Sequence, residues 1–108
     1  MNYQSTRNAA LTASSAEAIL NGLAPDGGLM TPEVFPRLAS LSTLKDMSYQ
    51  QRAVYVMKLF LEDYSVKELT EFAAKAYGPD KFDTGRVVPL HRVDETTYAL
   101  ELWHGPTC

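Results

Sequence analysis

The sequence holds a single cysteine, Cys108, so an intramolecular disulfide cannot form. With only two histidines besides, His91 and His104, no metal-ligand spacing arises and no metal site is expected. Long apolar runs are missing as well. None approaches the ~18–20 residues that span a bilayer, and the opening Met1-Asn2-Tyr3-Gln4 lacks the basic-then-apolar order of a signal peptide. A cytoplasmic location is therefore expected. Nor is there an excess of charge of one sign: 10 basic and 13 acidic residues leave a net charge of -3, interspersed along the chain. Without a basic stripe, neither nucleic acid nor an anionic membrane is expected as a partner. Repeats, a phosphate-cradling glycine loop and a nucleophile with a base at recognisable spacing are absent too.

What remains is ordinary globular composition, 45% hydrophobic and 21% charged. At 108 residues the chain is one modest domain or part of a larger one. Three times a Ser precedes Glu or Gln by three positions: Ser14 before Glu17, Ser48 before Gln51, Ser65 before Glu68. In this pattern side chain and backbone cap each other reciprocally at a helix start. The first predicts a short helix from about Ser15 to Leu23, running into the turn Ala24-Pro25-Asp26-Gly27-Gly28 and a short strand, Leu29-Met30-Thr31. Behind the second, Ala53, Val56, Met57, Phe60, Leu61 and Tyr64 recur at helical spacing and predict an amphipathic helix to about Asp63. Behind the third, Leu69, Phe72, Ala73, Ala76 and Tyr77 share a face until Gly78-Pro79 stops the helix. Both stripes are expected to be core.

After Gly85 the period changes to two. Val87 to Val93 and Thr97 to Trp103 are rich in β-branched and aromatic residues and are joined by Asp94-Glu95-Thr96, which predicts a hairpin. Pro89 makes the first of these an edge or interrupted strand, and His91 is expected on its surface. The fold class expected is α+β: a small helical domain with short strands and a C-terminal hairpin.

The end of the hairpin carries the most specific feature. Glu101-Leu102-Trp103-His104-Gly105-Pro106-Thr107 resembles the threonine synthase motif Glu-Leu-Phe-His-Gly-Pro-Thr, which in that family continues through one variable residue to Ala-Phe-Lys-Asp. Three further blocks fall in the family's order. Tyr3-Gln4-Ser5-Thr6-Arg7 is similar to its opening Tyr-x-Ser-Thr-Arg, Gly22 to Leu29 to its Gly-Leu-Ala-x-Asp-Gly-Gly-Leu, and Thr31-Pro32-Glu33 to its x-Pro-Glu. Asn8 departs from the family's usual Gly, and as the side chain that best tolerates positive φ it is expected to keep the bend. Trp103 and Cys108 replace the usual Phe and Leu.

The resemblance implies a fold of the tryptophan-synthase-β-like type, pyridoxal-phosphate fold type II. Residues 1–83 would form the N-terminal domain of the enzyme, and 84–108 the first strands leading into a truncated pyridoxal-phosphate domain. The parent enzyme converts O-phospho-L-homoserine and water to L-threonine and phosphate with pyridoxal phosphate as electron sink. Its cofactor lysine would fall beyond Cys108, so the chain alone is expected to hold no catalytic residue, bind no cofactor and be inactive. His104, Gly105, Pro106 and Thr107 would lie beside the active site, and Ser5, Thr6 and Arg7 are candidates for a substrate phosphate. Partners implied are the remainder of the enzyme, its substrate, and a second copy through the hairpin. The other reading is a free-standing binding or regulatory module built on the same domain.

Overall fold

The computed structural model describes residues 1–106. Within these the chain divides into two units, Met1–Thr70 and the stretch from Glu71 onward.

The first unit is built on a three-stranded antiparallel sheet in the order β2-β1-β3, with β1 Tyr3–Ser5, β2 Thr12–Ala13 and β3 Met30–Pro32. Tyr3 faces Ala13 on one side and Pro32 on the other. Period-two alternation places Tyr3 and Ser5 in the interior and leaves Gln4 half-exposed. Pro32 is tolerated because β3 lies at the sheet edge, where its missing donor breaks no inner ladder.

All three expected capping boxes form. Ser14 opens α1 Ser15–Asn21 by accepting from the Glu17 amide at 3.3 Å while Glu17 accepts from its own at 2.9 Å. Ser48 and Gln51 open α3 Tyr49–Phe60, and Ser65 and Glu68 open α4 Val66–Ala76. Between α1 and α3 lies an unanticipated single turn, α2 Ser42–Lys45. Arg52 secures it by donating from Nε to the Leu44 carbonyl and from Nη2 to that of Lys45.

Two helices end earlier than their apolar periodicity predicts. α1 stops at Asn21, where Gly22 takes φ +72° and returns its amide to Ala18. α3 stops at Phe60 instead of Asp63, since the next residues are drawn into other bonds. The Lys58 ammonium donates to the carbonyls of Glu62 and Tyr64 at 3.2 and 2.7 Å. The Asp63 carboxylate accepts from the Ser15 hydroxyl and the Ala16 amide at 2.8 and 2.7 Å, serving the start of α1. Tyr3 Oη donates to the Phe60 carbonyl at 2.8 Å, and the Met1 ammonium pairs with Glu62.

The expectation that both helical stripes are core is corrected. Leu69 and Ala73 on α4 are buried, each 1% exposed, but α3 buries no residue fully and Val56, Phe72 and Ala76 are exposed. A chain this short has too little surface opposite each stripe to cover it.

In the second unit Tyr77 stacks on Phe82 at 6.4 Å, flanking the 3-10 turn Pro79–Lys81. The predicted hairpin is present but shorter: β4 Leu90–Arg92 pairs antiparallel with β5 Tyr98–Leu100, Leu90 facing Leu100. Val87 and Val88 form a bend, and Leu102 and Trp103 lie outside the ladder. Pro89, lacking an amide proton, only accepts, from Glu101 at 2.9 Å, and pairing ends there. Asp94 Oδ1 holds the connection by accepting from the amides of Thr96 and Thr97 at 2.9 and 2.8 Å. His91 is exposed, as expected.

Candidate functional site

Two places carry the residues that the sequence singles out, one in each unit. The first joins Ser5, Thr6 and Arg7 to the Asp26-Gly27-Gly28 turn. Ser5 is 3% exposed, and its hydroxyl donates to the Asp26 carboxylate at 2.8 Å while accepting from the Arg7 amide at 3.2 Å. Thr6 Oγ1 accepts from the Leu29 amide, and the Arg7 guanidinium donates from Nη1 to the Asp26 carbonyl, both at 3.0 Å. The Gly28 amide donates to Asp26 Oδ1 at 2.9 Å, and Gly27 takes φ +78°. Two blocks that read as separate motifs are therefore one interlocked turn. The Gly28 amide, the Ser5 hydroxyl and the Arg7 charge hold the Asp26 carboxyl below the usual carboxylate range, in that order, against partial burial.

The bend after Arg7 is made differently from the expectation. Among the described residues no non-glycine residue has positive φ. Asn8 instead accepts from the Ala10 amide at its side chain and from the Leu11 amide at its carbonyl, each at 3.0 Å, a side-chain-closed turn.

The second place is the hairpin exit. The His104 side chain is 13% exposed and lies between two carboxylates, Nδ1 at 2.5 Å from Asp83 Oδ1 and Nε2 at 2.6 Å from Glu101 Oε1. A carboxylate only accepts, so both bonds are made at once only when both ring nitrogens carry protons. The bond to Glu101 raises the His104 pKa above the ordinary histidine value most, partial burial opposes it, and the bond to Asp83 adds to the rise. Asp83 also donates its amide to the His104 carbonyl at 3.0 Å. Next in sequence, Gly105 lies so close to Phe82 that a Cβ would come within 2.5 Å of Cε1. The Trp103 ring lies 5.4 Å from the imidazole.

The structure thus brings Ser5, Thr6 and Arg7 together with Asp26 and Gly28, and His104 and Gly105 together with Asp83, Glu101 and Phe82. Pro106 is exposed; Thr107 lies outside the described residues. Sequence reasoning missed Asp83, Phe82 and the role of Glu101. The available signal was Glu101 three residues before His104; nothing local pointed to Asp83. Because the two carboxylates sit on opposite ring nitrogens, the trio does not converge on one point. Among the described residues no cluster of metal-ligating side chains is present.

Among the described residues no helix is long and apolar enough to cross a membrane. Residues 2–77 match the family described as threonine synthase N terminus. Threonine synthase of Corynebacterium glutamicum is 37% identical over 99% of this chain, which corresponds to 24% of that protein. A crystal structure of a threonine synthase from Brucella melitensis with PLP bound superposes with a TM-score of 0.87, at 34% identity over 98% of this chain and 23% of the other. The yeast threonine synthase structure gives a TM-score of 0.78 at 33% identity, over 96% of this chain and 22% of the other. The chain spans about a quarter of the length of the relatives it matches.

Proposed function

The chain belongs to the threonine synthase family, and from that premise we propose that it is the N-terminal portion of an enzyme converting O-phospho-L-homoserine and water to L-threonine and phosphate. The observation that carries this reading is the match of almost the whole chain, in sequence and in fold, to the first quarter of such enzymes. The boundary proposed for the N-terminal domain is residue 83, beyond α4 and the end of the family match at residue 77. A cytoplasmic location accompanies this reading.

Pyridoxal phosphate supplies an electron sink when bound to such an enzyme. The residues described here do not compose a site for it. No lysine lies in the segment from Glu101 to Pro106, both His104 nitrogens are engaged by carboxylates, and the Ser5 hydroxyl is committed to Asp26. On this reading the chain alone is inactive, and the cofactor belongs to the remainder of the enzyme. His104, Gly105, Pro106 and Thr107 form the approach to the cofactor lysine. Among Ser5, Thr6 and Arg7, the exposed Arg7 guanidinium is the group best placed to meet a substrate phosphate. The apolar side chains exposed on the hairpin support docking onto the remainder of the enzyme, or onto a second copy when the chain is alone.

The test is a chimaera in which this chain replaces the first quarter of the Corynebacterium glutamicum enzyme. Phosphate release from O-phospho-L-homoserine within an order of magnitude of the relative's own supports the reading. A chimaera that folds and binds pyridoxal phosphate but releases none overturns it and favours the non-catalytic module.

A further inference from the structure

We propose that Asp83, His104 and Glu101 form a proton-held clip, in which His104 is a positioning residue that fixes the hairpin exit while both ring nitrogens carry protons. Three observations carry this. The imidazole bridges two carboxylates at 2.5 and 2.6 Å, one from the segment after the 3-10 turn and one from the strand exit. The backbone seals the same junction, since the Asp83 amide donates to the His104 carbonyl at 3.0 Å. Gly105 then packs against the Phe82 ring, where a Cβ would lie 2.5 Å from Cε1, so the residue after His104 lies against the residue before Asp83.

A neutral imidazole has one N–H. On losing a proton, His104 therefore keeps a donor for one carboxylate and turns a lone pair toward the other, which is repulsive. Among the described residues, the charged groups that act on the ring are Asp83 and Glu101, and the uncharged Trp103 ring lies 5.4 Å away. The folded-state pKa is raised, so the clip is complete below the ordinary histidine value of ~6.5 and is lost as pH rises through the folded value. The bearing of this clip on the approach to a cofactor lysine rests on the function proposed above; the clip itself belongs to this chain and is tested in it.

Nitrogen-15 NMR of the full chain, histidine-labelled and carrying His91→Gln so that His104 alone reports, reads the ring directly. At a pH where histidine in a short peptide is neutral, both His104 nitrogens are expected to remain protonated. The Asp83 and Gly105 amide shifts should follow the ring's midpoint. Glu101→Gln should lower that midpoint, and Asp83→Asn should lower it less. Trp103, the single tryptophan, gives a second readout, because an imidazolium quenches indole emission more than imidazole does, and its emission should rise at the same midpoint. A His104 ring with one bare nitrogen at that pH, or Asp83 and Gly105 amides that ignore its titration, overturns the clip and leaves the family reading untouched.

Discussion

The Ser5 hydroxyl donates to the Asp26 carboxylate at 2.8 Å, joining the central strand of the sheet to a turn 21 residues further on. Both groups also serve the backbone: Ser5 accepts from Arg7, and Asp26 accepts from Gly28. Removing the hydroxyl leaves the Arg7 amide without its acceptor in a part-buried position. Ser5→Ala should cost about 1–2 kcal/mol, read as a lower urea midpoint at unchanged slope. Because the folded Asp26 pKa is depressed, its contribution is present above the unfolded carboxylate value and is lost as pH falls through the folded one. Asp26→Asn should flatten that acid-side loss.

Glycine at 28 and glycine at 22 are required for different reasons, and a double substitution separates them. A Cβ at Gly28 would overlap Ser5 Oγ and lie 3.2 Å from the Arg7 backbone nitrogen, whereas one at Gly22 meets nothing within 4 Å but requires φ +72°. Gly28→Ala should cost about 1–3 kcal/mol through overpacking, and Gly22→Ala about 1–3 kcal/mol through backbone strain. In the Ser5→Ala background the cost of Gly28→Ala should shrink and that of Gly22→Ala should not. Equal costs in both backgrounds would remove steric contact with Ser5 as the reason for Gly28.

How much was legible follows from the range of each interaction. The three capping boxes need residues three apart, so Ser14, Ser48 and Ser65 announced their helices correctly. The hairpin was readable from the period of two and the β-branched and aromatic residues on either side of Asp94-Glu95-Thr96. Of the sheet only β3 was readable, expected at Leu29-Met30-Thr31 after the glycine turn and formed by Met30–Pro32; β1 and β2 are too short to give a period, and β1 pairs with β3 across the whole of α1. Helix ends failed where distant groups intervene, as at Asp63, which serves α1. At the candidate sites the motif residues were found and their pairings were not. Asp26 and Asp83 act on residues 21 positions away, beyond any local pattern.

Burial separates two residues of the same helical stripe. Leu69 is 1% exposed and Phe72 is 48% exposed, though both read as core in the sequence. Leu69→Ala should cost about 2–5 kcal/mol. Phe72→Ala, removing a larger side chain, should cost less in the isolated chain. Thermal unfolding followed by circular dichroism orders the two, and a larger loss for Phe72 would contradict the burial.

The lysines of this chain are Lys45, Lys58, Lys67, Lys75 and Lys81, none of which follows the hairpin exit. Lys58 is occupied by two carbonyls. Incubation with pyridoxal phosphate should give no stoichiometric imine band, and borohydride should trap no specific peptide. A single lysine labelled in proportion to protein would show that the chain holds the cofactor by itself.

The hairpin should drive self-association when the chain is alone. Its strands and exit expose Leu90, Val93, Tyr98, Leu100, Leu102 and Trp103, each at least half accessible. Among the described residues the two strands form a sheet of their own, and neither outer edge is paired with another strand. An isolated two-stranded hairpin is marginal in water, and open edges recruit further strands. Edge pairing between two copies would cover apolar side chains and backbone together, which fraying does not. Light scattering at micromolar concentration should therefore give a dimer or larger species, and Leu100→Lys with Leu102→Lys should shift it toward monomer. A monomer at all concentrations, with Trp103 emission typical of a buried indole, would mean that the hairpin covers itself and that its exposed face recruits no second copy.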